Sequence, residues 1–129
     1  MRIYLDSAPI VYLVEQNPSF SPMVVAKLAT LGGDLVSSEL ARMEALVLPY
    51  RIQDQGLIQD FEDFFSTQLV EIAGVHRAVF TRAARVRAQY PFKTPDAIHL
   101  ATAIVSGCDI FVTNDHRLQR FTGIRIEVI

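Results

Sequence analysis

Asp6, Glu44, Asp96 and Asp115 lie far apart in the chain, yet each sits in or beside apolar sequence. A carboxylate in such a setting is costly unless it is paired or bound to a cation. Asp6 follows the apolar run Ile3-Tyr4-Leu5, and Asp115 follows Ile110-Phe111-Val112 by two polar residues, Thr113 and Asn114. Asp96 falls in the first turn of a helix that opens at Thr94-Pro95. Glu44 has Leu40, Ala41, Val47 and Leu48 one helical turn away, which predicts a carboxylate on an apolar face. Glu39, three residues before Arg42 and in a first turn, reads as a solvated capping charge.

Taken alone, each of these acids also has a plain structural reading. Asp6 suits an Asx turn or a helix cap, Asp115 or Asn114 suits a cap on a short last helix, and the helix dipole favours an acid at Asp96. These readings stay open, and they do not exclude the other one, because the dipole that favours Asp96 also keeps it ionised, as a metal ligand must be.

The elements around the acids argue for convergence. Residues Arg2 to Leu5, Leu35 and Val36, Leu69 to Ile72, Ile110 to Val112 and Arg125 to Ile129 read as short strands. Helical spacing is expected over Ser7 to Glu15, Pro22 to Leu31, Ser38 to about Tyr50, Gly56 to Thr67, Val75 to Tyr90 and Thr94 to Gly107, with a short helix over His116 to Phe121. Ser37-Ser38 are the expected cap of the third helix, Thr94 that of the sixth, and Gly107 the stop of the sixth. Alternating strands and helices predict an α/β fold with a parallel sheet covered on both faces; a mostly helical bundle is the alternative, since each strand is short. In a parallel sheet Asp6 and Asp115 share the carboxyl edge, Asp96 starts near it, and Glu44 enters from the helix after the second strand.

Converging carboxylates repel, and hard divalent cations with oxygen ligands, Mg²⁺ or Mn²⁺, relieve that repulsion. An all-acid cation site suits phosphate ester hydrolysis, with Ser7, Ser38, Thr113 and Asn114 placed to orient the ligands or the phosphate. His99 lies three residues after Asp96 on the same face and reads first as a satisfied core histidine, while His76 and His116 read as surface residues. Arg82 and Arg85, with Arg42 and Lys93, are candidates for a phosphate-binding rim, although a solvated helix face is the simpler reading of the arginines.

The 129 residues fit one domain, 1–129, of which half are apolar. A single cysteine, Cys108, rules out an internal disulfide and fits packing in a reducing compartment. No run is long and apolar enough for a membrane span, Asp6 interrupts any signal-peptide core, and a cytoplasmic protein is expected. The net charge of −2 weighs weakly against a polyanionic partner, but two divalent ions would bring the sum to +2. A zinc-type Cys/His cluster and a glycine-rich phosphate loop are both absent.

Together the segments IYLDSAPIVYLVE, SSELARMEALVLPYR and TPDAIHLATAIVSGCDIFVTND resemble the motifs of PIN-domain ribonucleases, in particular the VapC-type toxins of toxin–antitoxin pairs. The resemblance covers nearly the whole chain and places the family's acids on Asp6, Glu44, Asp96 and Asp115. It implies a three-layer α/β/α fold with a five-stranded parallel sheet and Mg²⁺- or Mn²⁺-dependent endoribonuclease activity. It also implies a homodimer, and an antitoxin that inserts a basic segment among the acids. Some members carry a further acid shortly after the fourth motif; here Arg117 and Leu118 stand there, which implies a weaker second metal site. Three other readings are a housekeeping RNA-processing nuclease, an idle module whose acids dock a basic partner, and a phosphohydrolase with Asp6 as nucleophile. The last lacks the second Asp that such chemistry needs, since Ala8 and Pro9 follow Ser7.

Overall fold

The computed structural model describes residues 1–129. In chain order the elements are β1 (Arg2–Leu5), α1 (Ser7–Val14), α2 (Ser21–Leu31), β2 (Asp34–Ser38), α3 (Glu39–Arg51), α4 (Gln55–Thr67), β3 (Glu71–Ala73), α5 (Arg77–Gln89), α6 (Thr94–Val105), β4 (Ile110–Thr113), a 3-10 turn (His116–Arg120) and β5 (Arg125–Val128). The strands form one parallel sheet in the order β3-β2-β1-β4-β5. From β1 the chain moves to one side, towards β2 and β3, and from β4 to the other. The crevice between the carboxyl ends of β1 and β4 is therefore the switch point where open parallel sheets keep their ligands.

The sheet is covered on both faces, and the alternation of each strand sorts its side chains between them. Ile3, Leu5, Ile110 and Val112 pack with Ala41, Leu46, Phe61 and Phe65 under α1, α3 and α4. Tyr4, Val36 and Phe111 point the other way and pack with Val79, Ala83, Val86, Ala97 and Leu100 of α5 and α6. Tyr4 and Phe111 stack, with ring centroids 5.1 Å apart. This three-layer arrangement is the α/β/α fold expected from the sequence, and it explains why the strands lack polar alternation. Two glycines are needed where they stand: Gly107 has φ +71° just past α6, and a Cβ on Gly33 would lie 2.7 Å from the Met1 carbonyl oxygen as β2 approaches β1.

Several local expectations need correction. Thr94 is the first residue of α6 and not its cap; Lys93 holds the cap position, and the Thr94 hydroxyl instead accepts a hydrogen bond from Arg87 Nη1 at 3.0 Å. Ser37 and Ser38 belong to β2, and Ser38 alone caps α3. Strand β3 begins at Glu71, after Leu69. On α3 the buried stripe is Ala41, Ala45, Leu46 and Pro49, whereas Val47 and Leu48 are exposed, so Glu44 borders the buried face and does not lie among apolar neighbours on all sides.

Candidate metal centre

Asp6 leaves the end of β1 with its backbone N–H bonded to the Val112 carbonyl of β4 at 3.0 Å, which fixes it at the switch point. One carboxylate oxygen, Oδ1, accepts from the Ser7 N–H and caps α1; the other, Oδ2, accepts from the Thr113 hydroxyl, each at 2.8 Å. Thr113 Oγ1 in turn accepts from the Asp115 N–H at 3.0 Å, so one buried hydroxyl ties the acid after β1 to the acid after β4. The cap reading and the site reading of Asp6 are both true of the same carboxylate.

Glu44 approaches from the second turn of α3. Its Oε1 lies 2.5 Å from His99 Nε2, and the same nitrogen is 3.6 Å from Asp6 Oδ1. His99 is almost fully buried, and its Nδ1 meets the Tyr4 hydroxyl at 2.8 Å; that hydroxyl is 2.7 Å from Ser38 Oγ, which accepts from Ala41 N–H at the start of α3. A line of buried polar groups thus runs from the cap of α3 to the carboxylate on its second turn, and no buried polar side-chain atom is left without a partner.

The charges follow from these contacts. Burial would lower the His99 pKa, but the Glu44 hydrogen bond and the charges of Asp6, Glu44 and Asp96 outweigh it and raise it. Burial would raise the Glu44 pKa, and the hydrogen bond and charge of His99 hold it below its ordinary value, with the Ser7 hydroxyl acting the same way. Asp96, in the first turn of α6, is raised first by burial and then by Asp6 and Asp115. Asp115 is lowered by Arg117, whose Nε and Nη2 grip its two oxygens at 3.0 and 2.6 Å. Arg117 Nη2 also reaches to 3.9 Å from Asp96 Oδ2.

The four acids expected from the sequence therefore form two adjoining groups. Asp6, Glu44 and His99 each offer a ligand atom, all within 4.8 Å of one another; Asp96 and Asp115 stand beside them with Arg117 between. Among the supporting residues, Thr113 and Ser7 contact the acids, Ser38 acts at one remove through Tyr4, and Asn114 turns away to donate to the Tyr12 hydroxyl at 2.6 Å. His99 is the satisfied core histidine that was expected, and it is also the residue that holds Glu44. Its spacing from Asp96 was the available signal, whereas nothing in sequence marked Tyr4 or the grip of Arg117 on Asp115. Arg42 is not at this site: it pairs with Glu62 at 2.7 Å and Glu39 at 3.6 Å.

The donor set fits a hard divalent cation, being mainly carboxylate oxygens with one imidazole nitrogen in reach. The sequence matches the PIN domain family over residues 3–124. The chain belongs to the PIN domain family. Solved structures agree on the fold: VapBC2 from Rickettsia felis bound to a promoter DNA fragment is similar with a TM-score of 0.78 at 17% identity, covering 100% of this chain and 99% of that one. A toxin–antitoxin complex from Klebsiella pneumoniae gives 0.74 at 21% identity over 95% and 94% of the two chains. VapC20 from Mycobacterium tuberculosis, a Sarcin-Ricin loop cleaving toxin, gives 0.71 at 14% over 95% and 98%. No curated protein matches this PIN domain in sequence. No helix in it is long and apolar enough to cross a membrane.

Proposed function

We propose that this PIN domain is a divalent-metal-dependent endoribonuclease, the toxin of a type II toxin–antitoxin pair. The observation that carries the reading is the gathering of Asp6, Glu44, Asp96 and Asp115 at the β1/β4 switch point, with Asp6 and Glu44 oriented by Thr113 and His99. These acids would hold Mg²⁺ or Mn²⁺. A bound ion of that kind supplies Lewis-acid polarisation of a phosphate and lowers the pKa of a water. The protein's part is positional. Thr113 and the Ser7 N–H fix the plane of Asp6, His99 fixes Glu44, and Asp96 projects from the opening turn of α6 towards the same crevice. No side chain here is placed as a nucleophile, which supports hydrolysis by water; such hydrolysis leaves a 5′-phosphate and a 3′-hydroxyl.

The grip of Arg117 on Asp115 supports the antitoxin half of the reading, because it displays a guanidinium bound by two bonds to a carboxylate of this rim. A basic antitoxin segment would block the acids by the same chemistry. A groove of about 600 Å³ lined by Leu13, Val25, Leu28 and Phe64 and edged by Asp60 and Asp63 would take an apolar segment with basic flanks. Met43, Val47, Leu48 and Tyr50 are left exposed on α3, a surface of the kind a homodimer covers. A cytoplasmic location follows from the same reading.

The test is incubation of total RNA with the purified wild type and Asp96→Asn, in Mg²⁺, in Mn²⁺ and in chelator. Discrete fragments bearing 5′-phosphates, from wild type with metal only, are expected. Identical patterns from both proteins would refute the nuclease. Growth arrest on expression, relieved by a neighbouring gene, separates a toxin from a housekeeping nuclease.

A further inference from the structure

Beside the acidic centre, between the start of α6 and the 3-10 turn, lies a cleft of about 80 Å³ whose walls include Lys93, Arg117, Arg120 and Asp96 over buried Phe92 and Leu118. Asp96 is shared: it is one wall of the cleft and one acid of the centre, so whatever occupies the cleft is next to whatever occupies the centre. Lys93 and Arg120 are exposed and make no ion pair, while the third cation of the cleft, Arg117, is paired with Asp115 and reaches Asp96. With Arg117 balanced by Asp115, Lys93 and Arg120 against the one acid Asp96, above an apolar floor, leave the cleft positive. Its volume is that of a few water molecules, enough for a tetrahedral oxyanion and too small for a nucleobase.

We propose that Lys93, Arg117 and Arg120 form a subsite for the RNA phosphate next to the one that is cut, and so position the strand across the acids. This inference rests on the nuclease reading. Lys93 and Arg120 supply charge from opposite sides of the cleft, and Arg117, whose Nε and Nη2 are taken by Asp115, borders it with the N–H donors that remain on its guanidinium. The same arginine separates the negative centre from the positive cleft. These are positioning residues, and their contribution is sequence-independent. The arginines Arg82 and Arg85 of α5 line other surfaces, with Arg77 and Val105 on one side and Phe121 and Thr122 on the other, and have no part in it.

The experiment measures binding without cleavage. A short fluorescein-labelled single-stranded RNA of mixed sequence is titrated by anisotropy in Mg²⁺ against Asp6→Asn, alone and combined with Lys93→Gln/Arg120→Gln or with Arg82→Gln/Arg85→Gln. Lys93 and Arg120 are exposed, and the Lys93 side chain makes no cap hydrogen bond, so a thermal midpoint close to that of Asp6→Asn is expected for the combined variant. Lys93→Gln/Arg120→Gln is expected to weaken binding roughly tenfold and to make the slope of log K against log salt shallower by about 0.7. In the cleaving background the loss should fall on KM and not on kcat. The α5 pair should leave affinity and slope unchanged. Binding and slope unaltered by the Lys93/Arg120 changes, in a protein that still cuts RNA, would overturn the subsite and leave the nuclease standing. An equal loss from the α5 changes would also overturn it, by showing a diffuse charge effect. A wild type that neither binds nor cuts RNA in any metal would end both readings.

Discussion

His99 Nε2 stands 2.5 Å from Glu44 Oε1, across 55 positions of sequence and between two helices on different sides of the sheet. The contact passes around the carboxyl edge where β1 ends, and it is backed by Tyr4, which rises from β1 itself. Glu44 is thus held by a side chain from the opposite layer, so the orientation of a proposed ligand depends on how α3 and α6 close over the sheet.

Tyr4→Phe should test that dependence. It removes the hydroxyl between His99 Nδ1 and Ser38 while keeping the ring stacked on Phe111. Ser38 still accepts from Ala41 N–H, but the buried imidazole nitrogen loses its partner, which should cost about 1 to 3 kcal/mol in urea unfolding. RNA cleavage should fall severalfold with the fold intact. Unchanged stability would show that Tyr4 does not hold His99.

Asp96→Asn should abolish cleavage and leave the protein at least as stable as wild type in chelator. Its carboxyl is pushed up by burial and by Asp6 and Asp115, so the charge is unfavourable in the metal-free protein. Thermal unfolding in chelator reads this directly. A large fall in Tm would mean that Asp96 is chiefly a structural first-turn acid.

Metal-free stability should peak in mild acid. His99 and Asp96 have raised pKa values, so the folded protein binds more protons than the unfolded one, and their contribution is lost as pH rises through the folded values. Glu44 and Asp115 are lowered, so theirs is present above the ordinary carboxylate range and lost as pH falls through the folded values. Asp115 counts for less, since its partner Arg117 is largely exposed and screened. A maximum near about pH 5 to 6 in chelator is expected, with the alkaline decline flattened in His99→Gln. A maximum in the alkaline range would contradict it.

Mn²⁺ or Mg²⁺ should stabilise the folded protein by mass action, by about 2.7 kcal/mol at a hundredfold excess over Kd. Asp6→Asn should lose most of the corresponding rise in Tm, because the substitution removes a charge from the group that includes Glu44 and His99. Equal rises in both proteins would place the ion elsewhere.

Much of this molecule can be read from its chain. Apolar runs with no polar alternation at Ile3–Leu5 and Ile110–Val112 require a sheet covered on both faces, and acids at the ends of those runs in a parallel sheet require a shared edge. These are local facts of period and position, and they place Asp6, Asp96 and Asp115 before any packing is known. Packing decides what local periodicity leaves open. Helix α3 carries Leu40, Ala41, Met43, Ala45, Leu46, Val47 and Leu48 almost all around, so its sequence does not say which face is buried; contact with α1 and α4 selects Ala41, Ala45 and Leu46 and exposes Val47. That rotation brings Glu44 to His99. The hydroxyl of Thr113 finds Asp6 107 residues away because β1 and β4 are neighbours in the sheet, and strand order belongs to the whole chain. Residue types and spacing determined which groups could hold a cation; only the closing of two helical layers over one sheet decided which of them meet, because partners so distant in sequence are chosen by packing and not by local geometry.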